Sequence, residues 1–290
     1  MIEIVLIADK NYFNHATTTI NSILKNTKSP TEITCITTDV SLEEIMHIEC
    51  IFENKNIHFQ KFDDSMLKAI KTKNYVSHAA YIKLLLPEIF KEKDKIIFLD
   101  SDLILNDDIG KLWDQFDENY TLQAVWNPGY NYDNDVFGLA KEDATFNSGV
   151  MLMNLKKMRE NDDSDKLFKF IDEKNHLTAL NDQAAFNAIY AHVWGKIALK
   201  WNVQHQFFLK KAEEFKLNKK EKIALLKSPS IIHFNSNSKP WMFRNIHPFK
   251  KKFIMYYTEV NGKLIYQDIS MTSFLKKLRE ALMMRKNKSL

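Results

Sequence analysis

Two carboxylates one residue apart, Asp100 and Asp102, follow directly on the apolar run Ile96-Ile97-Phe98-Leu99. On a regular strand such side chains point the same way, and like charges held together there are costly unless a cation sits between them. Hard divalent ions such as Mg²⁺ and Mn²⁺ take a few carboxylate oxygens and fill their other positions with water and phosphate oxygens. The pair therefore predicts a metal together with a phosphate-bearing ligand. The plainer alternative is two solvated aspartates that cap the next turn.

His233 ends a second short apolar run, Ser230-Ile231-Ile232, and offers an imidazole to the same ion, although a lone histidine is also a common core residue. The stretch HFNSNSKPW (233–241) then brings hydroxyls, amides and the Lys239 ammonium within reach of a diphosphate, followed by Trp241 as an aromatic platform. A lysine supplies the point charge that suits a phosphate oxygen or a departing diphosphate. Asp9 and Asn11 follow the first apolar run, where Asx residues either line a ligand or bond their own turn. Neither GxGxxG nor GxxxxGK[ST] occurs, so phosphate recognition must rest on metal and side chains. A phosphatase that uses the first Asp of DxD as nucleophile places the motif on the strand nearest its N-terminus, which residue 100 does not fit.

The elements that must hold these residues read as α/β. Strands are predicted over 2–8, 34–38 and 57–62, with helices over 16–24 and 42–52 between them. This alternation predicts a mostly parallel sheet with helices on both sides and ligands beyond the carboxyl ends of the strands. Residues 79–90 read as a helix in which Pro87 threatens a kink or an early stop. Strand signals weaken over 106–145, where NPGYNYDND (127–135) is rich in turn formers. Asn147-Ser148-Gly149 precedes the apolar run 150–155, and residues 165–193 read as helical throughout.

Composition bounds the rest. Of 290 residues, 45% are hydrophobic and 27% charged, which fits a folded chain and not a disordered one. Cys35 and Cys50 sit in no CxxC or Cys/His metal pattern, so a reduced, cytoplasmic setting is expected. The segment MIEIVLIADKNYF lacks the features of a secretory signal, and no run approaches 18 apolar residues. Residues 273–290 hold six Lys and Arg against the single Glu280, a net +5, so residues 1–272 carry −1 of the overall +4. With its basicity confined to the tail, the chain is not expected to bind nucleic acid. As a helix, the tail gathers Phe274, Leu275, Leu278, Ala281, Leu282 and Met283 toward one side, flanked by Lys276, Lys277 and Arg279. Such a segment suits an anionic membrane surface or, alternatively, packs on the body as an ordinary helix.

Taken together, IVLIADKNY (4–12), SHAAYIKLLLPEI (77–89), KIIFLDSDLIL (95–105), FNSGVMLMNLKKMR (146–159), LNDQAAFN (180–187) and HFNSNSKPW (233–241) resemble glycosyltransferase family 8, especially its bacterial lipooligosaccharide galactosyltransferase and lipopolysaccharide glycosyltransferase branch. The resemblance implies a GT-A fold, a Rossmann-like mixed sheet flanked by helices. It implies a catalytic domain over 1–260 and a basic amphipathic tail over 261–290 that touches the inner face of the cell membrane. It also implies a retaining enzyme that moves galactose or glucose from a UDP-sugar, with Mn²⁺ or else Mg²⁺, to a saccharide or glycolipid acceptor. On that reading Asp9 and Asn11 contact uridine, Asp100 and Asp102 of the Asp100-Ser101-Asp102 motif bind the metal, and His233 completes its protein ligands. Lys239 holds the diphosphate. Asn147 and Ser148 line the sugar and acceptor pocket, while Asp182 and Gln183 flank the donor sugar, with Gln183 facing the anomeric carbon. Three donor-site positions depart from the family: Lys83 where Arg is usual, Asn127 where Asp is frequent, and Ser236 where Gly is frequent. A donor-binding homologue without turnover, or a protein or other cell-surface polymer as acceptor, are the alternatives.

Overall fold

A computed structural model describes residues 1–53, 55–70 and 77–288. They form two compact units, the first comprising Met1–Phe13, Ser29–Asp100 and Gly110–Ala198, the second Asn14–Lys28, Ser101–Ile109 and Leu199–Leu290. The strands in chain order are β1 (Ile2–Asp9), β2 (Thr31–Thr38), β3 (Ile57–Lys61), β4 (Lys95–Leu99), β5 (Leu103–Leu105), β6 (Leu122–Trp126), β7 (Phe146–Asn154), β8 (Gly195–Ile197), β9 (Val203–Gln204) and β10 (Ile231–His233).

In the first unit seven strands form one sheet in the order β3-β2-β1-β4-β7-β6-β8. The β1–β2, β2–β3, β1–β4 and β6–β8 pairs are parallel, whereas β7 runs antiparallel to β4 and β6. The sheet is therefore mixed and carries helices, as a GT-A fold does. Its β-branched first strand buries Ile4, Val5, Leu6 and Ala8, as cover on both faces requires. All of β7 is buried, so Asn147, Ser148 and Gly149 lie inside the strand and not ahead of it. The sequence pattern missed β6 because it is short and Gln123 interrupts it. That buried amide is satisfied by Asp117 N, from which it accepts, and Gln115 O, to which it donates.

Two helical expectations are corrected. Residues His78–Leu85 form a 3-10 helix, followed by an α-turn at Leu86–Ile89 with Pro87 in its first turn, where a missing N–H costs little. The proline starts a helix there and does not kink one. The stretch 165–193 is also broken: helices Asp163–Lys174 and Asn181–Ile189 flank a 3-10 turn at Asn175–Leu177. The break is held by side chains. Thr178 Oγ1 donates to Asn175 O at 3.1 Å, Asn175 Nδ2 to Tyr81 Oη at 3.2 Å, and Ala179 N to Asp133 Oδ2 at 2.8 Å. It creates a fresh helix N-terminus at Asn181-Asp182-Gln183.

In the second unit β10 lies between β5, antiparallel, and β9, parallel. Ile104, Ile232, Phe234, Phe253 and Tyr256 pack as its core. Residues 14–26 supply helical hydroxyls to this sheet: Thr19 Oγ1 donates to Ser101 O at 3.1 Å and Leu103 O at 2.7 Å, and Ser22 Oγ accepts from Leu105 N at 3.0 Å. Helices Lys250–Asn261 and Met271–Lys288 follow. Among the described residues no helix is long and apolar enough to cross a membrane.

Candidate active site

The first unit brings its polar residues to one sheet edge. Asp9 ends β1, Asp100 follows its parallel neighbour β4, and the antiparallel β7 begins beside them with Asn147 and Ser148. Asp100 N donates to Gly149 O at 2.8 Å, fixing that junction. Asp9 Oδ1 accepts from Asn11 N (2.9 Å) and Tyr12 N (3.0 Å), so one carboxylate oxygen is occupied by its own turn.

Lys83 is the hub of this edge. Its buried ammonium lies 2.8 Å from Asp182 Oδ2 and 3.2 Å from Asp100 Oδ1, and donates to Ser148 O at 3.4 Å. Burial alone would favour the neutral amine, but the charges of Asp100 and Asp182 outweigh it and hold the pKa above the usual lysine value. A single ammonium thus bridges two carboxylates without the planar fork of arginine. Ser148 Oγ donates to Asp182 Oδ2 at 3.3 Å. Gln183 Oε1 accepts from Asn147 Nδ2 (2.9 Å) and Ser148 N (3.2 Å). The backbone donor identifies that atom as the amide oxygen, and the buried Nε2 has no partner among the described residues. Asn127 is buried just after β6, in an Asn127-Pro128-Gly129-Tyr130 turn whose Gly129 has φ 83°. That conformation needs glycine.

The second unit holds the other half of the motif. Asp102 is buried, its Oδ1 3.0 Å from His233 Nε2 and its Oδ2 2.5 Å from Lys239 Nζ. Burial pushes its pKa up, but the charges of Lys239 and His233 and their hydrogen bonds prevail and hold it below the carboxylate range. Register explains the meeting: His233 pairs with Leu103 across β10–β5, and Phe234 N donates to Asp102 O at 3.0 Å. His233 Nδ1 contacts Asn202 Oδ1 at 3.0 Å, which leaves Nε2 as the ligand-capable nitrogen. Lys239 also donates to Phe234 O at 2.9 Å. Ser236 Oγ donates to Ser238 O (3.1 Å) and accepts from Ser238 N (3.3 Å), and its backbone is not left-handed. Trp241 stacks on His15 with ring centroids 3.4 Å apart, so one face of that platform is already covered.

The motif is not a regular strand, contrary to the sequence argument for a shared face. β4 stops at Leu99, and β5 starts at Leu103 in the other sheet. The bend still brings the ligands together: one atom each from Asp100, Asp102 and His233 lies within 4.8 Å of the others. Two carboxylates and an imidazole fit a divalent cation that keeps positions open for phosphate oxygens. Sequence reasoning missed Asn202, which orients His233, and Thr19, which holds the bend. It also gave no role to Asn187, whose side chain accepts from Phe146 N (2.8 Å) and donates to Phe146 O (3.0 Å), fastening the helix of Gln183 to β7. A buried polar residue directly between two apolar neighbours is the feature Asn202 and Asn187 share.

Comparison with known proteins agrees with this fold. General stress protein A of Bacillus subtilis is 27% identical over 272 residues, covering 90% of this chain and 95% of that protein. Glycosyltransferase GlyF of Streptococcus pneumoniae is 24% identical over 259 residues, 87% of this chain but 60% of the longer relative. The crystal structure of galactosyltransferase LgtC with donor and acceptor sugar analogues matches at TM-score 0.80 and 18% identity, over 95% of this chain and 100% of that one. Glycosyltransferase GlyE of S. pneumoniae matches at TM-score 0.68 and 19% identity, over 99% and 63%. Residues 3–244 match the model of glycosyl transferase family 8. With most of its length covered by that match, the chain belongs to glycosyltransferase family 8.

Proposed function

We propose that this glycosyltransferase is a Mn²⁺-dependent retaining enzyme that moves galactose or glucose from a UDP-sugar onto a saccharide carried by a surface glycolipid. The observation that carries the reading is the convergence of Asp100, Asp102 and His233. Those three residues would hold the metal, and the imidazole favours Mn²⁺ over Mg²⁺. When bound, the ion neutralises charge on the diphosphate as it departs. Lys239 would exchange part of its contact with Asp102 for a phosphate oxygen. Contact with uridine would fall to Asn11 and the second oxygen of Asp9. Asp182, anchored by Lys83 and Ser148, is the acceptor for a sugar hydroxyl, and Gln183 Nε2 is a buried donor beside it. Retention without a covalent intermediate is favoured because Gln183 Oε1, already a weak nucleophile, accepts two hydrogen bonds. The chain's contribution is then orientation and charge stabilisation. LgtC, solved with donor and acceptor sugar analogues, supports a hexose donor.

The C-terminal helix is what supports a glycolipid acceptor and a position on the inner face of the cell membrane. Met271, Phe274, Leu275, Leu278 and Leu282 are exposed on it. Lys276 and Arg279 lie beside them, each worth about 1 kcal/mol near an anionic surface. The side chains of Met283, Arg285, Lys286 and Lys288 lie outside the described residues. The test incubates the purified protein with UDP-galactose or UDP-glucose, with Mn²⁺ or EDTA, and measures UDP. Release that needs Mn²⁺ with one of the donors supports the reading; a folded protein that releases none with either overturns it. Flotation with anionic vesicles, lost on removal of residues 273–290, tests the membrane contact.

A further inference from the structure

The loop that carries Lys239 is tied to a residue far along the chain. Ser238 is buried, and its Oγ donates to Glu280 Oε2 at 3.3 Å, a contact across 42 residues. The same serine is held at its other atoms. Its carbonyl accepts from Ser236 Oγ and from Asn245 Nδ2, and its N–H donates to Ser236 Oγ. Among the described residues, only the hydroxyl reaches outside the segment 236–245.

Glu280 belongs to the helix Met271–Lys288, and the spacing of that helix is inverted relative to an ordinary surface helix. Buried Ser273 and half-buried Lys277 and Glu280 recur at i, i+4 and i+7 on one side, while Met271, Leu275, Leu278 and Leu282 are exposed on the opposite side. Lys277 Nζ lies 4.2 Å from the centre of the Phe243 ring, a second contact between this polar side and the segment after Lys239. Glu280 is half-buried beside the charges of Arg244 and Lys250, and burial raises its pKa against their pull. A carboxylate placed there is costly unless it accepts hydrogen bonds.

We infer that Glu280 is a positioning residue for the donor site: by accepting from Ser238 it fixes the loop 236–239 and so the aim of Lys239 at the diphosphate. This rests on the reading of Lys239 given above, because the structure itself pairs that ammonium with Asp102. Among the described residues no hydrogen bond or ion pair joins Glu280 to the metal ligands or to Lys239, so its effect on the donor is expected to run through the loop. A purely electrostatic role makes the opposite prediction, since removing a negative charge beside Arg244 and Lys250 would tighten the binding of an anionic donor.

The experiment compares the full-length protein with Glu280→Ala, Glu280→Gln, Ser238→Ala and the Glu280→Ala/Ser238→Ala double variant. The first readout is amide hydrogen exchange across residues 236–239 without ligand; the second is KM and kcat for the UDP-sugar. Glu280→Ala and Ser238→Ala should each speed exchange in the loop and raise donor KM about fivefold, the scale of one hydrogen bond. Turnover should change less than twofold and the double variant should be no worse than either single one. Glu280→Gln keeps an acceptor oxygen and should behave as the parent. Unchanged loop exchange in Glu280→Ala overturns the inference whatever the donor is. So does faster exchange with unchanged KM, or a lowered KM shared by Glu280→Ala and Glu280→Gln. Absence of UDP release from the parent protein instead overturns the donor reading and leaves the exchange result to decide the link.

Discussion

Asp100 and Asp102 belong to one motif, yet the chain secures them by different means. Asp100 keeps 32% of its side chain open to solvent and leans on Lys83, which a 3-10 helix supplies, with Ser148 from a strand and Asp182 from a helix N-terminus close by. Asp102 is 10% exposed and leans on His233 from a strand end and on Lys239 from a loop. One carboxylate is braced by regular elements and remains accessible. The other is sunk between an imidazole and an ammonium, the second of which is delivered by a segment that needs its own fastening. A buried charge whose partner is removed costs far more than an exposed one, so the two aspartates should separate in stability even where they agree in activity.

Asp102→Asn should show the largest effect. We expect a fall in metal-dependent UDP release of about 100-fold or more, and a loss of about 3 kcal/mol in urea unfolding as Lys239 and His233 lose their carboxylate. Asp100→Asn should cut activity similarly but lower stability by much less; equal stability losses would erase the contrast drawn here. Lys83→Met leaves Asp100 and Asp182 without their shared cation and should cost about 3 kcal/mol, with Lys83→Arg recovering part of it in the same unfolding assay.

The second unit should also answer to pH. His205 and His247 are buried neutral imidazoles, burial bringing His205 down to about 4 and His247 well below its ordinary 6.5. The unfolded chain therefore binds protons first as pH falls below 6.5, so stability drops from there toward pH 4 and is level above 6.5. For His205 alone the loss approaches about 3 kcal/mol. Denaturation midpoints measured from pH 7.5 to 4.5 check this, and His205→Gln should make the curve shallower, with the remaining slope carried by His247 and the likewise buried His15. The smallest effect is expected from Asn202→Ala, which frees the His233 ring and should weaken metal binding about tenfold with little change in the fold.

Much of this was legible beforehand because the strongest sequence signals are local. β-branched runs gave β1 and β4, and the abrupt change from Leu99 to Asp100 marked the sheet edge. The pairing of Asp102 with His233 was legible only as two strand ends, since nothing local says that residues 131 apart meet. β6 escaped because a buried Gln123 with satisfied hydrogen bonds looks, in one dimension, like a break. The helix over 165–193 reads as continuous because Asn175 and Ala179 break it by tertiary contacts with Tyr81 and Asp133, which propensity does not encode. The i, i+2 argument gave the right neighbours for an incomplete reason: a bend, stitched by Thr19, brings the carboxylates together where a pleat was expected.

Titration of Mn²⁺ into the protein in the presence of UDP, followed by electron paramagnetic resonance of the free ion, addresses the metal site most directly. The account predicts one bound ion per chain, with binding lost in Asp102→Asn and in His233→Ala. Stoichiometric binding that survives both substitutions, or none in the parent protein with UDP present, would contradict it.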